Sequence, residues 1–317
     1  MKDGLIMYKR KISLKILLIL IAILSPVMIA RTATANEAET ENRSVIAIGT
    51  VGENGAPWTL YDDDIVEVGG GEIPASFDNT GTISICNSPW YEYQELVRRI
   101  YFTEPVIARE RLHGLFSCLP RLTHIVNAHH IDTALVTNMS RMFTGTESLT
   151  YVDVSSWNVS NVTDMLGMFR GTRSLAELDV SNWNTGNVIS MTDMFAGARS
   201  LTELDVSNWN TSNVTNMSFM FINAFRLESL DVSNWDVSSV TNMREMFQTA
   251  SGLTSLDVSN WDMNNVTNIQ RMFAGARSLT ELDVSNWDTR NMIEMAMAFR
   301  DTSNLTSLDL SNWDTII

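Results

Sequence analysis

Tryptophan stands at positions 157, 183, 209, 235, 261, 287 and 313, always 26 residues apart. A unit of that length cannot bury its own apolar face, so copies must stack into a solenoid with one shared core. The stretch Leu201 to Arg226, LTELDVSNWNTSNVTNMSFMFINAFR, is one such unit. Its Leu201, Leu204 and Val206 recur as Leu227, Leu230 and Val232 one copy later, and as Leu305, Leu308 and Leu310 at the last. Leu204 and Val206 lie two apart, so on a strand they share one face while Asp205 and Ser207 point to the other.

The spacing L-x-x-L-x-V-x-x, closed by Asn208-Trp209, follows the leucine-rich-repeat pattern, in which each coil gives one short parallel strand to a common sheet. Five residues past each tryptophan the period changes. Val214, Met217, Met220 and Phe221 fall at i, i+3, i+6 and i+7, which predicts a short helical turn behind the strands, and Thr215-Asn216 are residue types that cap helix N-termini. The expected fold is an α/β repeat solenoid over residues 111–317, with one short parallel strand and one short helical turn per 26-residue coil.

The chain opens on an export signal in residues 1–35. Lys9, Arg10, Lys11 and Lys15 lead into the apolar run Ile16 to Ala30, and Ala33-Thr34-Ala35 forms an A-x-A-like site that places cleavage after Ala35. The alternative is a membrane anchor, but Ile16 to Ala30 is short for a bilayer and Pro26 interrupts it. Residues 36–46 read as a flexible polar lead-in, and residues 47–110, which lack the repeat, as a small β-rich N-terminal cap. Within that cap Trp58-Thr59-Leu60 and Ile65 to Val68 flank the acidic turn Asp62-Asp63-Asp64 as a hairpin, ended by the breaker Gly69-Gly70-Gly71. Ser88-Pro89 opens a predicted short helix with Tyr93, Leu96, Val97 and Ile100 on one stripe, and Ile100 to Phe102 and Val106-Ile107 read as strands. The array starts irregularly, with Leu115-Phe116 27 residues before Met142-Phe143 and Ile131 in the first tryptophan slot. It stops at Thr315-Ile316-Ile317 with neither a capping segment nor a Leu-Pro-any-Thr-Gly sorting motif, so the expectation is a truncated product or one that needs a partner at that end.

Charge restricts the partners. Of 22 basic and 37 acidic residues, six basic and one acidic fall in residues 1–35, so residues 36–317 carry 16 basic and 36 acidic groups, a formal charge of −20. Such a chain repels nucleic acid and anionic membrane surfaces, and no membrane insertion is expected once the signal is cleaved. Calcium and cationic protein patches fit it better.

The string LDVSNWDTxNVTNMxxMFxGAxSLTEL, seen from Leu204 to Leu230 and in its copies, resembles the repeat of the BspA-like leucine-rich-repeat family of bacterial surface proteins. Trp58-Thr59-Leu60, Pro89-Trp90-Tyr91, Ile100-Tyr101-Phe102 and Leu115-Phe116 are similar to the lead segment that often precedes those repeats. The resemblance implies a secreted or wall-associated protein, with adhesion to host or neighbouring-cell proteins proposed for some members. Two features depart from the family pattern: the wall anchor is missing, and alanine (Ala198, Ala224, Ala250, Ala276) replaces the cysteine often found near the end of the helical turn.

Asp153, Asp179, Asp205, Asp231, Asp257, Asp283 and Asp309 form a predicted ladder on the strand face away from the core, with neighbours about 4.8 Å apart. Like charges that close need an offset, either local hydrogen bonds, the favoured reading, or bound calcium. Trp157, Trp183, Trp209, Trp235, Trp261, Trp287 and Trp313 repeat in phase with core leucines, which favours packing over ligand contact. Asn182, Asn208, Asn234, Asn260, Asn286 and Asn312 are expected to bond turn backbones between coils. His129-His130 lack a third ligand at metal spacing and read as a solvated turn, and Cys86 and Cys118 are a candidate disulfide between cap and first coil.

Catalysis needs a unique acid, base or nucleophile in a concave site, whereas nearly every conspicuous polar residue here is one of seven equivalents. The sequence therefore points away from an enzyme. It points to an exported scaffold whose coils, stacked over about 30–35 Å, present an acidic surface able to match about 800 Å² of a host or bacterial surface protein. The competing class is a structural or calcium-dependent wall module without a specific protein ligand.

Overall fold

The computed structural model of the protein describes residues 43–75 and 86–314, so the expected export signal and most of the expected lead-in lie outside the described residues. The chain divides into residues 1–44 and 45–317, and the fold below is that of the second unit.

The N-terminal cap begins at Val45, inside the expected lead-in. Strands β1 (Val45–Thr50), β2 (Pro57–Tyr61) and β3 (Ile65–Val68) form an antiparallel meander. From there the sheet turns parallel, with β3 beside β5 (Arg99–Phe102), then β7 (His124–Val126), then β9 (Tyr151–Val152). The register stacks Val66, Ile100, Ile125 and Val152 in one buried column, so the cap supplies the first rungs of the repeat's own core. A second parallel sheet joins β4 (Gly71–Ile73), β6 (Val106–Ala108) and β8 (Ile131–Asp132). The glycine run expected as a breaker therefore leads straight into a strand, with Gly71 at φ +139, a backbone setting closed to most side chains. The helix predicted after Ser88-Pro89 is only a 3-10 turn at Tyr91–Tyr93, because Ile100 is drawn into β5 by its parallel partners Val66 and Ile125.

Past β9 the expected strand per coil shrinks to single-residue parallel bridges such as Glu203↔Ser229 and Ser255↔Glu281. A second line of bridges runs Arg111↔Asn138↔Asp164↔Ser190↔Asn216↔Asn242↔Asn268↔Glu294 along another edge of the stack. The expected face assignment of the strand segment matches the structure: Leu204 and Val206 are buried and Asp205 is exposed.

The predicted helical turn is not helical. Met217, Phe219, Phe221 and Asn223 donate their N–H groups to carbonyls of the following coil at 2.8–2.9 Å, while Met220, Ile222 and Ala224 close tight turns onto the residue three before. Phe219 and Asn223 both have φ near +60, as do their equivalents in the other coils, and a right-handed helix admits neither. A helix would spend all its N–H groups internally, whereas this alternation leaves half of them to tie coil to coil. The stripe itself is core all the same: Val214, Met217, Met220 and Phe221 are buried.

Two aromatic columns run the length of the array. Phe116, Phe143, Phe169, Phe195, Phe221, Phe247, Phe273 and Phe299 stack at centroid spacings of 5.0–5.7 Å. Trp183 through Trp313 stack at 6.1–6.5 Å. Trp90 of the cap lies on Phe116 at 5.9 Å and closes the phenylalanine column. The result is a leucine-rich-repeat-like solenoid built from turns and single bridges rather than from strands and helices.

Candidate interaction surface

Each aspartate of the predicted ladder begins an Asx turn. Asp153, Asp179, Asp205, Asp231, Asp257 and Asp283 accept through Oδ1 from the backbone N–H of the serine two residues on, at 3.0–3.1 Å, and from its hydroxyl at 2.7 Å. Asp309 accepts from the Ser311 N–H at 2.9 Å. These bonds hold the Asp283 and Asp309 carboxyls below their ordinary range, the serine hydroxyl contributing most at Asp283 and the backbone N–H at Asp309. Asp179, Asp205, Asp231, Asp257, Asp283 and Asp309 are exposed and Asp153 half-buried, and only Oδ1 is used in those bonds. Glu177, Glu203 and Glu281 stand beside them, and Glu177, Asp179, Glu203 and Asp205 line a shallow trough of about 520 Å³.

The sequence held two more Asx turns per coil that the strand-and-helix reading passed over. Asn210 accepts from Ser212, and Asn216 from Ser218, in the same way as Asp205 from Ser207. The signal is an Asx residue two before a serine, three times in fourteen residues, at 205/207, 210/212 and 216/218.

The tryptophans Trp157 to Trp287 are buried, and each indole N–H donates to a carbonyl of the preceding coil at 3.0–3.1 Å, as in Trp209 to Val180 and Trp235 to Val206. Trp313 makes the same bond to Val284 while half-buried. They lie in the interior and line no ligand face. The asparagine expectation is corrected. Asn182, Asn208, Asn234, Asn260 and Asn286 are exposed and make no side-chain bond between coils among the described residues, whereas Asn312 bonds the Ser285 carbonyl. The inter-coil role falls instead to Asn161, Asn187, Asn213, Asn265 and Asn291, each donating to a carbonyl 27 residues earlier at 2.6–2.8 Å.

Cys86 and Cys118 form a disulfide with Cα atoms 5.3 Å apart, and the Asn87 N–H donates to the Ser117 hydroxyl beside it, so cap and first coil are joined covalently and by hydrogen bond. His129 and His130 meet edge to face at 4.6 Å on a 3-10 turn, with His130 Nδ1 3.0 Å from the Phe102 carbonyl oxygen. Burial, and then the Arg99 charge, hold the His124 imidazole below its ordinary range. Among the described residues no group of three or more His, Cys, Asp or Glu could hold a metal ion, and no helix is long and apolar enough to cross a membrane.

A family model described as "Mycoplasma protein of unknown function, DUF285" matches residues 111–204, 173–281 and 252–316. The chain belongs to this family. The three DUF285 matches overlap and together span the array, beginning at Arg111, which opens the long line of single-residue bridges. No curated protein matches the chain significantly. Among solved structures it is similar to a leucine-rich repeat protein from Eubacterium ventriosum ATCC 27560 at 13% identity and a TM-score of 0.35, covering 84% of this chain and 91% of that one. The TLR13–ssRNA13 complex gives 14% identity and a TM-score of 0.29 over 68% of this chain and 36% of that one. The Drosophila Toll–Spatzle complex gives 13% identity and a TM-score of 0.25 over 85% and 54%.

Proposed function

We propose that this DUF285 protein is a secreted or cell-surface scaffold, akin to the BspA-like surface proteins its repeat resembles, that binds a protein of a host or of a neighbouring bacterium through its solenoid surface. The observation that carries the reading is the row of exposed aspartates whose Asx-turn bonds to serine all use Oδ1. A periodic line of carboxylate oxygens outside those bonds, on a chain of charge −20 past residue 35, suits a partner with a basic face. The export signal supports a location outside the cell, and the recurrence of every conspicuous polar side chain argues for a scaffold rather than an enzyme.

A pull-down with residues 36–317 against host matrix and bacterial surface proteins tests the reading. Saturable capture of one protein, weakened by the triple variant Asp179→Asn, Asp205→Asn, Asp231→Asn, supports it; capture that ignores the variant removes the acidic face as the site. The second reading is a structural or calcium-dependent module without a specific protein ligand, in which these oxygens would be the calcium ligands although they form no group of three or more among the described residues. A rise in melting temperature at millimolar calcium, absent from the triple variant, would select that reading.

A further inference from the structure

The coils differ most along the corner made by the tight turns. Stacking fixes the apolar positions there, whereas three slots vary from coil to coil, buried at Thr144, Gly167, Ala196, Glu245 and Ala274 and more open elsewhere, and in most coils these hold polar, charged or small residues. The first slot reads Arg141, Gly167, Asp193, Phe219, Glu245, Arg271 and Met297; the second Thr144, Arg170, Ala196, Ile222, Gln248, Ala274 and Arg300; the third Glu147, Arg173, Arg199, Phe225, Ser251, Arg277 and Ser303. One coil alone places apolar residues in all three: Phe219, Ile222 and Phe225. Phe225 is 38% exposed, and Phe219 and Ile222 are half-buried. Phe219 also sits at φ +62, where a bulky side chain is strained and glycine is at ease. Nothing in the stack requires phenylalanine there, since Gly167 fills the same slot two coils earlier.

Arginines surround this apolar patch on an otherwise acidic chain. The Arg199 guanidinium lies over the Phe225 ring at 5.5 Å, and that of Arg244 over Phe219 at 5.7 Å. Beside them opens a depression of about 420 Å³ lined by Arg170, Arg173, Arg199, Phe219 and Ile222 and, as the single carboxylate among its described residues, by Asp193, which pairs with Arg170. Arg170 and Arg173 are paired, with Asp193 at 3.4 Å and Glu147 at 2.9 Å, but Arg199 and Arg226 have no carboxylate partner among the described residues. The Arg244 guanidinium is engaged by Glu245 at 3.0 Å, so of the two arginines over aromatic rings it is Arg199 that offers its N–H groups to a carboxylate. Aromatic side chains interleaved with arginine are the composition of interface hot spots.

We propose that this corner is a docking site for an acidic peptide segment that carries an aromatic side chain, the carboxylates meeting Arg199 and Arg226 and the ring resting on Phe219 and Phe225. It rests on the protein-binding reading but uses a different face, and charge complementarity selects the occupant: elsewhere the chain's negative charge repels a polyanion. The probe is a fluorescent copolymer of glutamate and tyrosine, followed by anisotropy against residues 36–317. Each substitution is taken from another coil so that the fold tolerates it: Phe219→Gly as in Gly167, Phe225→Ser as in Ser251, and Arg199→Ser as in Ser251 and Ser303. The wild type binds the copolymer, and the triple variant loses tenfold or more in affinity without a fall in melting temperature. The control pair Arg271→Gly, Arg277→Ser, two coils on, leaves binding unchanged.

Equal binding by wild type and triple variant overturns the proposal. So does heparin competing as well as the copolymer, which would make the corner a site for any polyanion, or a dimer of the protein alone that the triple variant dissolves, which would make the occupant a second copy. The two readings fail separately. A surface protein captured through the aspartate face, with the copolymer bound equally by wild type and triple variant, sinks the docking site and leaves the scaffold, whereas copolymer binding lost in the triple variant without any captured protein does the reverse.

Discussion

Replacing Trp235 with phenylalanine should destabilise the array well beyond an ordinary surface change. Trp235 is 3% exposed, stacked 6.4 Å from Trp209 and 6.5 Å from Trp261, and its indole N–H donates to the Val206 carbonyl at 3.1 Å. Phenylalanine keeps a ring in the column but removes the donor. The Val206 carbonyl keeps the Trp209 backbone N–H at 3.1 Å, so the loss is that of one hydrogen bond, worth about 1 kcal/mol net. Loss of about 40 Å² of buried ring surface adds about 1 kcal/mol. The expected cost is therefore about 2 kcal/mol, read from guanidinium unfolding followed by circular dichroism. Because each coil touches only its neighbours, the lesion should loosen the adjoining coils first. Asn234→Ser, which copies Ser156 at an exposed position in the same coil, should change stability by no more than about 0.5 kcal/mol. A Trp235→Phe cost as small as that of the control would refute the claim that the indole bond ties coil to coil.

Three further outcomes follow from other contacts. Asp283 and Asp309 titrate below the ordinary carboxylate range, so their contribution is present above that range and is lost as pH falls through the lowered folded value; Ser285→Ala should move the Asp283 midpoint upward in an NMR titration, and an unmoved midpoint would contradict the serine bond as cause. Reducing the Cys86–Cys118 disulfide, which spans a sequence separation of 32, should cost about 3–4 kcal/mol and lower the melting temperature, with loss of exchange protection greatest in the cap. Gly171 sits at φ +75 with nothing closer than 3.6 Å to an added Cβ, so Gly171→Val should cost about 2 kcal/mol through backbone strain while Gly171→Asn, which copies Asn223 at the same slot, costs less; equal melting temperatures for the two would argue against the left-handed turn.

The period was legible in the sequence because stacking demands it. Leucine, tryptophan, methionine and phenylalanine recur every 26 residues, and Leu204, Val206, Trp209, Met217 and Phe221 are all interior. The path of the backbone between those points was not. Met217, Met220 and Phe221 have a spacing that suits a helix, yet the same apolar face is buried by two successive tight turns, and apolar periodicity does not separate the two. The deciding clue was the glycine of Gly145, Gly171, Gly197 and Gly275, which recurs as Asn223 where the backbone is left-handed. In the cap, the sequence reads Ile100 both as the end of a helical stripe and as the start of the strand Ile100 to Phe102; the strand is the one that forms, and the partners that decide it, Val66 and Ile125, are distant in sequence. The aspartate face was legible as a face, since alternation along the strand puts Asp205 opposite Leu204 and Val206. The turn-corner patch was hidden by the repeat itself, because attention to what recurs passes over Phe219, Ile222 and Phe225.

The central claim is that the coils lie on one another with their tryptophans inside, each tied to the coil before it. Indole N–H exchange measures this directly. In a protein-observed NMR exchange experiment, the N–H signals of Trp157, Trp183, Trp209, Trp235, Trp261 and Trp287 should be protected together, with a common opening energy set by unstacking of the array. Indole signals from these residues that exchange at the rate of free tryptophan would contradict the stack.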